Sequence, residues 1–176
     1  MNTANKLTML RVVLIPVFLV LLYLPIPFHM AFALVIFILA SVTDFIDGYI
    51  ARHYNQVTDF GKFMDPLADK LLVMSALLWF VEAGRLPAWA MLVVVAREFA
   101  VTALRLIAVE RGRVIAAAWS GKVKTASTMV GICLMLAFPA VEVLRLVCVV
   151  VILVTTVYSG IEYFIQNKDV LGKEAM

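Results

Sequence analysis

TDFIDGYIARHYNQVTDFGKFMDPLADK, residues 43–70, sets Asp44, Asp47, Gly48, Ala51, Arg52, Gly61, Asp65 and Asp69 at fixed spacing inside a strongly apolar sequence. A carboxylate at membrane depth costs about 2.5–3.5 kcal/mol on insertion scales. The acids of this pattern therefore need compensating charge, and a pair of divalent cations is the simplest source. Asp44, Asp47 and Ala51 fall at i, i+3 and i+7 and share one helical face. Gly61, Asp65 and Asp69 fall at i, i+4 and i+8 and share another. A helix–loop–helix turning through residues 53–60 brings the two faces together.

Composition sets the medium. Of 176 residues, 64% are hydrophobic and 15% charged, against about 45–50% and about 25% in a soluble domain; the mean hydropathy is +1.02. The sequence predicts an all-α integral membrane protein forming one domain over residues 1–176. With about 20 residues per span, six spans fit: roughly 9–25, 29–52, 61–82, 87–110, 124–140 and 142–165. Residues 1–8 are expected to form a short interfacial helix ahead of the first. The motif helices then cover 29–82, a second group 87–140, and the C-terminal helix 142–165. Pro25, Pro27, Pro87 and Pro139 punctuate the connections. Trp79, Trp89, Tyr23 and Tyr163 fall near span ends and read as an aromatic belt. Cys133 and Cys148 read as free thiols packed among apolar residues. No small-residue cleavage site follows Lys6 and Arg11, so a cleaved signal is not expected.

Lys and Arg orient the spans. The first, third and fifth connections carry none, Arg85 and Arg145 respectively, whereas Arg52, Lys62, Arg111, Arg113, Lys122, Lys124, Lys168 and Lys173 crowd the other side. Both termini and the aspartate pattern are expected to face the cytoplasm, and the absence of an organellar targeting segment favours a bacterial inner membrane.

The chemistry of the pattern follows from its donors. All-oxygen ligation by Asp44, Asp47, Asp65 and Asp69 suits Mg²⁺ or Mn²⁺ rather than zinc. Two such ions typically bind a diphosphate and stabilise charge on attacking and leaving oxygens. Gly48, Ala51 and Gly61 permit close approach of a ligand, and Arg52 offers a fork of donors to phosphate. Asp69, at the end of the pattern, is the natural general base for an incoming hydroxyl. The alternatives are a structural set of ion pairs with Arg52, Lys62 and Lys70, or an ion pathway, including a divalent-cation carrier. Neither accounts for small residues interleaved with acids gathered at one membrane face.

The spacing D-x2-D-G-x2-A-R-x8-G-x3-D-x3-D resembles, at all its fixed positions, the motif of the CDP-alcohol phosphatidyltransferases. The resemblance implies six spans, usually in a homodimer, a cytoplasm-facing metal site, and transfer of a phosphatidyl group from CDP-diacylglycerol to an alcohol with release of CMP. It maps the four aspartates onto metal-binding and catalytic positions, with Asp69 as base, and Gly48, Ala51 and Gly61 onto the cytidine site. The opening Asn5-Lys6-Leu7-Thr8-x2-Arg11-x4-Pro16 is similar to the start of the phosphatidylglycerophosphate synthase subfamily, with Ala4 where proline is usual. By that similarity Asn5 and Thr8, with Arg52, join the CDP-diacylglycerol site. Arg97-Glu98, Leu104-Arg105 and Ala117-Ala118-x2-Gly121-Lys122-x-Lys124-Thr125 also resemble that subfamily.

Charge bears on the acceptor alcohol. A neutral or cationic acceptor needs no cation cluster, whereas an anionic one does. Arg97, Arg105, Lys122, Lys124 and Thr125 are the candidates for an acceptor phosphate, and a helix beginning near Gly121 adds partial positive charge. Arg97 and Glu98, adjacent on one helix, are not expected to face each other. Glycerol 3-phosphate is the expected acceptor; inositol phosphate, or phosphatidylglycerol, is the alternative. Nothing in the sequence suggests nucleic acid as a partner.

Overall fold

A computed structural model describes residues 3–53, 58–116 and 118–172, with side chains except at positions 3, 4, 44, 45, 47–53, 59, 60, 62, 63, 65 and 171. Among the described residues the chain is all helical: α1 (Thr3–Tyr23), α2 (His29–His53), α3 (Asp59–Glu82), α4 (Ala88–Glu110), α5 (Trp119–Ala137), α6 (Glu142–Gln166) and the short α7 (Lys168–Leu171). Six long helices stand where six apolar stretches were expected.

Three details differ from expectation. The N-terminal residues do not form a separate interfacial helix, because α1 runs unbroken from Thr3. Asn5, Thr8 and Arg11 explain this: all three are buried, Arg11 completely, so the first turns of α1 belong to the bundle. The segment Gly121–Thr125 lies within the first turns of α5, which begins at Trp119, ahead of the span start expected at 124. α7 was not foreseen, and its four residues are too few for a periodic signal.

Helix ends follow local chemistry. Gly84 and Gly112 take left-handed φ values of 67° and 70°, the conformation that closes a helix most easily at glycine. After α4, Gly112 N–H donates to the Val109 carbonyl at 2.9 Å and Arg113 N–H to that of Ala108 at 2.8 Å. Arg111 then reaches the Val170 carbonyl, and Arg113 pairs with Asp169. That hydrogen bond holds the Asp169 carboxyl below its ordinary pKa. Arg111 and Arg113 thus tie the α4–α5 connection to α7.

α1 packs on α2 and α3, α2 on α5, α5 on α6, and α4 on α6 and α7. The core includes Phe18, Phe37, Leu72, Phe80, Ile132 and Ile152; Phe18 and Phe37 meet at 5.7 Å between ring centroids. The outside is apolar as well. On α6, Val143, Leu146, Val150, Val154, Val157 and Ile161 are all exposed, at steps of three and four residues. This inverts the pattern of a soluble helix. Among the described residues, two helical segments, Asn5–Tyr23 and Glu142–Gln166, are long and apolar enough to cross a membrane.

At one end of the bundle Tyr23 bonds Glu82, Arg85 lies over the Trp79 ring at 5.9 Å, and Arg145 donates to the Arg85 carbonyl at 3.2 Å. Trp79 and Tyr163 are buried, so neither belongs to an aromatic belt; Trp89 and Tyr23 are exposed. Cys133 and Cys148 are free thiols in apolar surroundings, as expected.

The α5–α6 seam closes at Gly131, where an added Cβ would lie 3.0 Å from Ile152 Cδ1 and 3.7 Å from Cys148 Cβ. Gly131→Ala is expected to be tolerated, since the Ile152 terminus can shift. Gly131→Val is expected to cost about 1–3 kcal/mol, the usual penalty of overpacking, and to lower the thermal midpoint in detergent; equal midpoints for wild type and Gly131→Val would contradict this packing.

Candidate active site

α3 begins where α1 touches it. Thr58 caps the helix, its Oγ1 accepting from Gly61 N–H at 3.0 Å and donating to Asn5 Oδ1 at 2.8 Å. An N-cap of this type satisfies one of the orphan amides of the first turn, and the Asn5 contact fixes the start of the motif helix against α1. Thr58 was missed by sequence reading, although a threonine three residues before a motif glycine is a recognisable start signal. Asn5 and Gly61, both expected near the nucleotide, are brought to the same end of the bundle. Thr8 is buried one turn further along α1. The side chains of Asp44, Asp47, Gly48, Ala51, Arg52 and Asp65 lie outside the described residues. Their backbones lie on α2 and α3, which pack against one another.

Asp69 opens onto a cavity of about 760 Å³ between α3, α4, α5 and α6. Arg97, Arg105, Lys122, Lys124 and Thr125, the five residues expected to meet an acceptor phosphate, all line the same space. The sequence separates Asp69 from Lys124 by most of two helices; the fold brings both to the lining of one cavity.

The interior charge is organised by Glu98. Its Oε1 accepts from Lys124 Nζ at 2.7 Å and from Arg97 Nη1 at 2.9 Å, while Lys70 Nζ lies 4.0 Å from Oε2. The Lys124, Arg97 and Glu98 side chains are only 7%, 13% and 15% exposed. The expectation that Arg97 and Glu98 would not meet is therefore corrected. Adjacent residues point apart on a helix, but the arginine chain is long enough to turn back, and the shared burial of Glu98 and Lys124 draws it there. Lys70 also donates to Thr102 Oγ1 at 2.8 Å, and Thr102 to the Glu98 carbonyl at 2.8 Å.

Gly160 makes room for Arg97, and Gly121 lies beside it. A Cβ at Gly160 would lie 3.2 Å from Arg97 Cγ, and one at Gly121 would lie 3.6 Å from its Nη2. Arg105 is positioned from α6: its Nε donates to Tyr163 Oη at 2.9 Å, and its guanidinium lies 5.6 Å from the Tyr163 ring centroid. Lys122 is exposed, and Thr125 Oγ1 donates to the Gly121 carbonyl at 3.1 Å. Glu98, Tyr163 and Thr102 were not among the residues expected to form the site. Only Glu98 carried a signal, as an acid inside an apolar span.

The donor set suits hard divalent cations. The motif supplies carboxylate oxygens without thiolate or imidazole, and its described member, Asp69, lines the cavity that also holds Arg97, Arg105 and Lys124.

Comparisons with known proteins identify the family. The profile of the CDP-alcohol phosphatidyltransferase family matches residues 1–161. A Bacillus subtilis protein named CDP-diacylglycerol–glycerol-3-phosphate 3-phosphatidyltransferase is 41% identical over 192 residues, covering 97% of each chain. The Escherichia coli K12 protein of the same name is 40% identical over 174 residues, covering 92% of each chain. A probable phosphatidylglycerophosphate synthase of Mycobacterium tuberculosis H37Rv is 43% identical over 168 residues, covering 92% of this chain and 79% of its own.

Glu98→Ala is expected to lower stability by about 3–5 kcal/mol, because it leaves buried cations without their carboxylate. The double variant Glu98→Gln with Lys124→Gln is expected to recover part of that loss in a detergent melting experiment. A Glu98→Ala midpoint within error of wild type would show that the charges are not coupled.

Proposed function

The chain belongs to the CDP-alcohol phosphatidyltransferase family, and from that premise we propose that it transfers the phosphatidyl group of CDP-diacylglycerol to glycerol 3-phosphate, giving phosphatidylglycerophosphate and CMP. The observation that carries this reading is the single cavity in which Asp69 faces Arg97, Arg105, Lys122, Lys124 and Thr125: a base and an anion-binding wall in one space. The relatives named for this reaction add support over nearly the whole chain.

In this reading residues 1–176 form one domain of six membrane-spanning helices, working as a homodimer in a bacterial inner membrane. Both termini and the cavity face the cytoplasm. CDP-diacylglycerol arrives from the bilayer, its acyl chains remaining among lipid. Asn5, Thr8, Gly48, Ala51, Arg52 and Gly61 receive its nucleotide end. Asp44, Asp47, Asp65 and Asp69 would hold two Mg²⁺ or Mn²⁺ ions, which when bound supply charge stabilisation to the diphosphate.

The remaining work belongs to the chain's own side chains. Arg105 and Lys122 present cations to the acceptor phosphate, with Thr125 and the first-turn amides of α5 beside them. Arg97 and Lys124 complete the wall, held in place through Glu98. This orients the primary hydroxyl of glycerol 3-phosphate toward Asp69. A carboxylate oxygen of Asp69 takes the hydroxyl proton as the alcohol oxygen attacks the phosphorus that bears diacylglycerol. The bond from that phosphorus to the bridging oxygen breaks, and CMP departs.

The test is CMP release by purified protein supplied with CDP-diacylglycerol, Mg²⁺ or Mn²⁺, and a panel of acceptors: glycerol 3-phosphate, inositol phosphate, serine and phosphatidylglycerol. Release with glycerol 3-phosphate alone is expected. Another productive acceptor would overturn the role given to the basic wall, and silence with every acceptor would overturn the reaction. Asp69→Asn is expected to reduce turnover by at least about 10²-fold, the scale of general-base catalysis, with CDP-diacylglycerol binding largely kept. A near-normal rate in that variant would remove Asp69 from the base role.

A further inference from the structure

We propose that the outer seam between α5 and α6 is a binding site for one membrane phospholipid whose headgroup carries a primary ammonium. The proposal rests on the membrane-spanning reading above and concerns a surface outside the transfer cavity. The seam contains two hollows that share Val123. One, of about 290 Å³, is lined by Trp119, Ser120, Thr155, Tyr158 and Glu162. The other, of about 400 Å³, is lined almost wholly by apolar groups such as Val130, Leu134, Leu144, Val147 and Val151. Along α5 the lining residues recur at steps of three and four, so they form one stripe with a polar and an apolar end.

The polar end asks for a donor. Ser120 is only 7% exposed, and its Oγ finds no hydrogen-bond partner among the described residues. Glu162 Oε2 is buried and equally unpartnered, while Oε1 accepts from Gln166 Nε2 at 2.8 Å. Ser120 and Glu162 both line this hollow, and their unsatisfied hydroxyl and carboxylate oxygens are matched by a cation with several N–H groups. An ammonium has three donors, whereas a quaternary amine has none. The exposed rings of Trp119 and Tyr158 rim the hollow and favour a cation on their faces. Both are residue types enriched at the membrane interface. An anionic headgroup would meet the Glu162 carboxylate directly.

The apolar end asks for an acyl chain. From Ser120 to Leu134 the stripe covers about 21 Å at 1.5 Å per residue. That is close to one leaflet, half of the roughly 40–45 Å bilayer including its headgroups. It is shorter than a whole helix of a second copy would cover.

The experiment titrates delipidated protein in detergent with phosphatidylethanolamine, phosphatidylcholine or phosphatidylglycerol. Retained lipid is counted by native mass spectrometry, and the thermal midpoint is followed. One phosphatidylethanolamine per chain, raising the midpoint, is expected. Glu162→Gln is expected to weaken that binding roughly tenfold, the scale of one charge-assisted hydrogen bond, and Ser120→Ala to weaken it by a smaller factor. Equal retention of phosphatidylcholine or phosphatidylglycerol, or undiminished binding in Glu162→Gln, would overturn the proposal. So would conversion of a dimer to monomer by Glu162→Gln, which would assign the seam to a second copy. CMP release measured on the same samples keeps the two readings apart: wild-type protein that binds phosphatidylethanolamine but releases no CMP fails the transfer reaction alone, and the reverse fails the lipid site alone.

Discussion

Lys124 and Arg97 lie inside the bundle because Glu98 stands between them, 2.7 Å from one and 2.9 Å from the other. Uncompensated charges in such surroundings cost several kcal/mol each. Lys124 sits on α5, and Glu98 and Arg97 on α4. The ion pair therefore locks two helices in register across the cavity. Lys70 on α3 approaches the same carboxylate, so three helices converge on one side chain. The cavity keeps its shape because its charged wall is also its fastening.

Small residues let that wall form. Arg97 passes Gly160 on α6 and Gly121 on α5, close enough that a methyl group at Gly160 would press on Cγ. Glycine at position 160 is a matter of side-chain space rather than backbone angle, unlike Gly84 and Gly112, whose φ values are positive. α6 carries no part of the aspartate motif, yet it adds Gly160 beside Arg97 and Tyr163 beneath Arg105. A helix that looks like a plain apolar span in sequence is in fact the back support of the basic wall.

This difference marks what a single sequence makes legible. The six long helices could be read because apolar runs of about 20 residues and proline or glycine punctuation are local signals. The motif residues could be read because their spacing is periodic within each helix. The separate N-terminal helix was an error, since hydropathy counts Asn5, Thr8 and Arg11 as polar and cannot register that they face the bundle. Tyr163 was assigned to a lipid-facing belt for a similar reason: its position near a helix end is local information, and its bond to Arg105 is not. The Arg97–Glu98 contact was excluded by a rule about adjacent side chains that ignores chain length. Each miss concerns which face meets which neighbour, a property of tertiary packing.

Among the described residues, Lys70, Arg97, Arg105, Lys122 and Lys124 line the cavity against two carboxylates, Asp69 and Glu98. Glu98 faces two buried cations at hydrogen-bond distance, so its charge is already matched within the wall. Arg105 uses one donor on Tyr163 and keeps the rest of its fork, and Lys122 is exposed. Among the described residues the cations left over are therefore Arg105 and Lys122, both exposed, and not the Glu98 pair. A phosphate acceptor would match these two exposed cations, whereas a neutral acceptor would not. The same argument separates the two ends of α5. Its cavity side gathers cations for an anion, and its outer side presents Ser120 with the Glu162 carboxylate, suited to a cation. One helix thus faces two ligand chemistries of opposite charge, and the turn from Ser120 to Gly121 is where the sign changes.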